Sequence, residues 1–182
     1  MYGLKHYHNF DNSDGVDARN FGVGRSNIVG TLVHTTSGAH SLDWLRRGSA
    51  EAGKPAGADY LIDRNGDRHS LTPGGHYPYH AGKSSLVYNN RLYQGDEVSQ
   101  LLLGVELENL DTTYCTAEQL DSLAELVMLE GIAFGWRWPY YVLGHYEVAR
   151  PLGRRSDPQG FLWGDFMGRL YLWASANKTP GL

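Results

Sequence analysis

The chain has 182 residues, 41% of them hydrophobic, and a net charge of −4 from 16 Lys and Arg against 20 Asp and Glu. That length favours one domain with room for a sizeable core, and the acidic balance argues against a general nucleic-acid binder, which needs clustered cations. No apolar run reaches membrane-spanning length, and the lone Cys115 excludes an intrachain disulfide or a thiolate-rich zinc site.

Residues 1–25 are polar and rich in Gly, Asn and Asp, which predicts an irregular segment. Its first residues lack the basic-then-apolar pattern of a secretory signal. Synthesis in the cytoplasm is therefore expected, with access to any outside substrate only after release. The β-branched run from Ile28 to Val33 predicts a buried central strand. Residues 41–52 predict a helix that Ser41 can cap and that turns Leu42 and Leu45 inward. Asn65-Gly66, between the runs Tyr60-Leu61-Ile62 and Arg68-His69-Ser70, predicts a hairpin. Residues 73–90, holding Gly, Pro, Tyr and His, read as one long loop of the kind that often carries function.

Residues 101–108 predict a further strand. Thr116-Ala117-Glu118-Gln119 reads as a capping box, opening a helix that continues to Gly135 on Leu120, Leu123, Ala124 and Val127. Tyr141 to Leu143 predict another strand, and residues 161–176 a last helix burying Leu162, Phe166, Leu170 and Trp173. Strands alternating with helices predict an α/β fold. We expect a single domain over residues 1–182, with a mixed central sheet flanked by helices on both faces.

Two histidines end apolar runs, His34 after Val33 and His145 after Gly144, and Asp157 follows the second. One imidazole at a strand end is ordinary. Two with a carboxylate make a three-ligand set that leaves a zinc position open, as catalytic rather than structural sites do. Glu106 and Glu108 lie two apart, on one face of their strand, where buried idle carboxylates would be costly. A general base is expected among them. Glu106 is the first choice and Glu108 the second, unless Glu108 is simply solvated at the strand terminus. Arg155, two residues before Asp157, is placed to stabilise a developing oxyanion, whereas Arg154 reads as an ordinary surface residue. Tyr77, Tyr79 and His80 read as an aromatic loop able to stack on sugar rings. His6, His8, His40 and His69 read as surface residues, and Cys115 as a small packed apolar group.

Val33-His34-Thr35, the run from Ala58 to Gly66, His80-Ala81-Gly82, Gly104-Val105-Glu106-Leu107-Glu108, Gly144-His145 and Arg155-Ser156-Asp157-Pro158 together resemble type 2 N-acetylmuramoyl-L-alanine amidases. That family includes phage lysozyme-type amidases, bacterial muropeptide-recycling amidases and animal peptidoglycan-recognition proteins. The resemblance runs over residues 28–165 in the family's order. It implies a mixed sheet flanked by helices, one Zn2+, and hydrolysis of the amide between N-acetylmuramic acid and L-alanine. It places His34, His145 and Asp157 on the zinc ligands and Glu106 on the catalytic glutamate. Arg155 falls where a lysine is usual, and Asp59 where a histidine is common. His80 falls on a histidine of the substrate-cleft loop, with Tyr79 and Thr35 as further substrate contacts. The implied partner is peptidoglycan or a muropeptide, with no nucleic acid and no membrane insertion, and a monomer is expected. A phage-type endolysin is the expected role. A cytoplasmic recycling amidase and a non-catalytic peptidoglycan-binding module are the alternatives, separable by substrate size and by bound zinc.

Overall fold

The computed structural model describes residues 7–25, 27–38, 40–109, 113–137 and 140–177, so His6 and both extreme ends of the expected 1–182 domain lie outside the described residues. Two short strands come first, β1 (Asn9–Asp11) and β2 (Phe21–Val23), then the central β3 (Gly30–Thr35) and a helix α1 over residues 41–51. The hairpin of β4 (Tyr60–Ile62) and β5 (Arg68–Ser70) follows, its turn carrying Gly66 at φ 92. Next are β6 (His76–Pro78), a second hairpin of β7 (Ser85–Tyr88) and β8 (Arg91–Gln94), helix α2 (Asp96–Leu101) and β9 (Leu102–Leu107). The chain continues through α3 (Ala117–Ala133), β10 (Tyr141–Gly144), the short α4 (His145–Val148) and α5 (Trp163–Ala176).

Six strands form one mixed sheet in the order β1-β5-β4-β9-β3-β10, parallel throughout except for the β4–β5 hairpin. Because side chains alternate along a strand, the central strands send apolar groups both ways. Val33, Ile62, Val105 and Leu107 meet Leu120, Leu123, Phe166 and Leu170 of α3 and α5 on one face. Leu32 and Leu102 meet Val98, Leu101 and Leu86 on the other, where α1 also packs Leu45 against Leu61. His34 lies two residues beyond Leu32, and Glu106 two beyond Gly104, so both project from this second face.

Two expectations are corrected. Residues within 1–25 are not irregular throughout: β1 pairs with β5 and β2 with β6, and Asn20 is buried between the Leu45 carbonyl and the Ser49 hydroxyl. Residues 73–90 are not one loop, since they contain β6 and β7. In both places strand formation is decided by distant partners, which short polar segments do not announce.

The capping box forms as expected. The Gln119 N–H donates to Thr116 Oγ1 at 3.1 Å, and the Thr116 N–H to Gln119 Oε1 at 3.0 Å. Thr116→Ala removes the first of these bonds and the one its hydroxyl donates to the Arg64 carbonyl at 2.9 Å, at a residue outside the cleft lining. It should lower stability by about 1 kcal/mol in urea denaturation and leave turnover unchanged.

Candidate active site

β3 and β10 run parallel as neighbours, with Val33 opposite Gly144, so His34 and His145 emerge side by side at the carboxyl end of the sheet. That end is where open α/β sheets place their ligands. The loop carrying Asp157 is tied to both strand ends: the Tyr146 N–H donates to the Asp157 carbonyl at 3.0 Å, and the Gln159 N–H to Thr35 Oγ1 at 3.0 Å. The three side chains converge as a result. His34 Nδ1 and His145 Nδ1 are 3.0 Å apart, and Asp157 Oδ2 lies 3.2 Å from the first and 3.0 Å from the second. Both imidazoles are buried. Burial lowers the His34 pKa to about 4. Burial also works against the Asp157 carboxylate, but hydrogen bonding to His145 and His34 outweighs it and holds that pKa well below the ordinary range.

A cleft of about 300 Å³ opens over this cluster, lined among others by Glu106, Asn109, Tyr79 and Arg155. Glu106 stands opposite His34 across the β3–β9 ladder. Its Oε2 is buried without a hydrogen-bond partner among the described residues. Burial, reinforced by the Asp157 charge and opposed by Arg155, pushes its pKa up to about 8. A carboxyl so perturbed beside a cleft is a candidate acid–base group. Glu108 lies just past the end of β9 and is not among the cleft residues; its backbone N–H donates to Ile62 and its carbonyl accepts from Gln119.

Of the two tyrosines in the expected aromatic loop, Tyr79 lines the cleft and Tyr77 does not. Strand alternation in β6 turns Tyr77 inward, its ring filling the space over Gly22. His80 is also buried; it lines the cleft wall and its ring reaches His34. Its Nδ1 lies 3.1 Å from His34 Nε2, while its Nε2 faces the carbonyls of Ser99 at 3.3 Å and Leu102 at 3.2 Å. Burial keeps its pKa well below the usual histidine value. His145 Nε2 is held at 3.1 Å by the carbonyl of the next residue, Ala81.

Arg154 is not an idle surface residue. Its guanidinium donates to the carbonyls of Arg150 at 3.0 Å and Lys83 at 2.7 Å, with Ala81 at 3.5 Å, stitching the 80–83 segment to the loop before Asp157. Adjacency to Arg155 was its only sequence signal. Asp59 is matched by a new partner: it pairs with Arg25 and accepts the Gly104 N–H at 2.8 Å, while Arg25 donates to the Leu102 carbonyl at 3.1 Å. Cys115 is buried, and burial pushes its thiol up to about 11, which suits a packed, inert group.

No curated protein sequence matches the chain. Among solved structures, AmpD superposes with a TM-score of 0.68 at 24% identity, covering 92% of this chain and 96% of that one. An endolysin N-acetylmuramoyl-L-alanine amidase, LysCS from Clostridium intestinale, gives 0.63 at 15% identity over 93% and 99%. AmiD from E. coli, in complex with the substrate anhydro-N-acetylmuramic acid-L-Ala-D-γ-Glu-L-Lys, gives 0.60 at 19% over 80% and 58%. These likenesses establish the fold. The profile of N-acetylmuramoyl-L-alanine amidases matches residues 24–160, a span holding His34, Glu106, His145 and Asp157, and the chain therefore belongs to the N-acetylmuramoyl-L-alanine amidase family.

Proposed function

We propose that residues 1–182 form one amidase domain that uses zinc, held by His34, His145 and Asp157, to cut the muramyl–L-alanine amide of peptidoglycan. The observation that carries this is the convergence of two imidazole nitrogens and one carboxylate oxygen in a single buried triangle. Its 3.0–3.2 Å edges are close to the roughly 3.3 Å separating donors around a tetrahedral zinc with bonds near 2.0–2.1 Å. The Ala81 carbonyl accepts from His145 Nε2, so a lone pair is left on His145 Nδ1 to face the centre. The donor types and open face also suit a catalytic rather than a structural ion.

When bound, zinc supplies Lewis acidity that acidifies water and polarises an amide carbonyl. Glu106 takes the proton from the attacking water and returns it to the departing alanine nitrogen, a task matched to a carboxyl with a raised pKa. Arg155, exposed on the cleft rim, offers fixed charge to the oxyanion and cannot shuttle protons. Tyr79 and the hydroxyl proton of Thr35 are left to contact substrate. The protein works as a monomer and needs neither nucleic acid nor a membrane; among the described residues no helix is long and apolar enough to cross one.

The biological role we favour is a phage-type endolysin, supported by the near-complete overlap with the endolysin amidase LysCS. The likeness to AmiD, solved with an anhydromuramyl peptide and not a polymer, favours recycling as the second reading. Mass analysis of digests separates them. Free stem peptides with N-terminal alanine should appear, chelation should abolish them, and added zinc should restore them. Faster release from intact sacculi than from anhydromuramyl peptides supports the lytic role; the reverse supports recycling. Glycan cleavage without free stem peptides would sink the amidase reading.

A further inference from the structure

We infer that His80 is a positioning residue, whose Nδ1 accepts a hydrogen bond from His34 Nε2 and so fixes the tautomer that turns the His34 Nδ1 lone pair toward the metal site. The inference rests on the zinc reading above. It follows from counting protons along one buried row. His80 Nε2 is flanked by the Ser99 and Leu102 carbonyls, which can only accept, so the neutral ring must carry its proton there. His80 Nδ1 is then a bare acceptor. The 3.1 Å contact to His34 is a hydrogen bond only if His34 Nε2 donates it. A neutral His34 that donates from Nε2 has its lone pair on Nδ1, the atom facing His145 and Asp157. With a cation among His34 Nδ1, His145 Nδ1 and Asp157, the opposite tautomer would turn an N–H toward that cation and set two lone pairs against each other at His80, the latter at a cost of about 1–3 kcal/mol.

The surroundings are shaped for this ring. A Cβ on Gly104 would lie 2.6 Å from the His80 imidazole, so only glycine on β9 leaves room for it. The Leu102 carbonyl is held in turn by Arg25, itself paired with Asp59, so the row runs from the hairpin strand to the metal site. The next residue, Ala81, serves His145 in the same way. One dipeptide, His80-Ala81, thus orients both histidine ligands.

The test begins with the metal-free wild type at pH 8, where long-range ¹⁵N–¹H NMR reads the proton position on each imidazole. Without metal, Asp157 draws the His34 proton toward Nδ1 and His80 draws it toward Nε2; a His34 with no population protonated at Nε2 overturns the inference without any variant. In His80→Leu, the Nε2-protonated population of His34 should fall, and the zinc dissociation constant should rise about 10–100-fold. His80→Asn, whose Oδ1 can replace Nδ1 as acceptor, should recover most of both. An unchanged tautomer and affinity in His80→Leu, or no recovery in His80→Asn, would reduce His80 to packing and overturn the inference. A wild type that takes up no zinc refutes the metal reading instead, and the tautomer spectrum still decides the place of His80.

Discussion

Glu106→Gln should lower kcat by about 10²–10⁴-fold, the range associated with one positioned acid–base group, while zinc uptake stays at the wild-type level. The amide has the shape of the carboxyl and fills the same place on β9, opposite His34, so the triangle of metal donors is undisturbed. What it loses is the capacity to take a proton. KM should therefore move little, because the lost interaction acts during bond making and breaking and not in holding substrate. Steady-state release of stem peptides, read beside zinc content, checks both halves. Full activity would remove the base role from Glu106, and Glu108 cannot inherit it, since it lies past the strand end and away from the cleft.

The same variant should also change stability, with a sign that can be worked out. The Glu106 pKa in the metal-free fold is about 8, above its ordinary 4.5. A group raised in this way contributes stability that is fully present below the unfolded value and is lost as pH rises through the folded one. Metal-free wild type should therefore lose on the order of 2–4 kcal/mol between pH 5 and pH 8.5 from this group, allowing for partial solvent access. Glu106→Gln carries no such dependence. Its metal-free Tm should exceed that of wild type at pH 8.5 and match it at pH 4. A carboxyl kept for chemistry and poorly solvated in the resting fold would behave this way, in line with active sites that trade stability for function.

The parts of this site legible in the sequence are those set by local pattern. His34 and His145 could be placed because each ends an apolar run, and strands that are buried on both faces read as such runs. The helix over Phe166, Leu170 and Trp173 is legible from its period, although it begins at Trp163 and not at residue 161, and Leu162, expected to be buried, is exposed at its N-cap. The β7–β8 hairpin carries its signal in Asn89-Asn90, which both adopt positive φ, 48 and 59, as tight hairpin turns require. His80 was different. Its neighbourhood in sequence, between Tyr79 and Ala81, is that of a cleft loop, and only the packing of that loop against Gly104 and Leu102 turns its ring toward His34. Arg154 and the Asp59–Arg25 pair share that origin. Their partners lie far along the chain, and no periodicity encodes such pairings.

Asp157→Ala should abolish measurable turnover and weaken zinc binding by more than the roughly 10–100-fold typical of losing an outer hydrogen-bond partner, because here a donor atom itself is removed. The loop should keep its place. The Asp157 carbonyl still accepts from Tyr146, and Gln159 still donates to Thr35, neither bond involving the deleted carboxylate. Near-UV circular dichroism should therefore match the wild type while equilibrium zinc titration does not. Asp157→Asn gives the intermediate case: an oxygen can remain beside His34 and His145, but its negative charge is gone, so affinity should fall between wild type and alanine. That ordering separates a metal ligand from a residue that only orients the histidines. A purely orienting carboxylate would leave the two imidazoles able to bind zinc with little loss, and Asp157→Ala would then retain stoichiometric metal. Such a result would remove Asp157 from the donor set and leave His34 and His145 holding the ion without it.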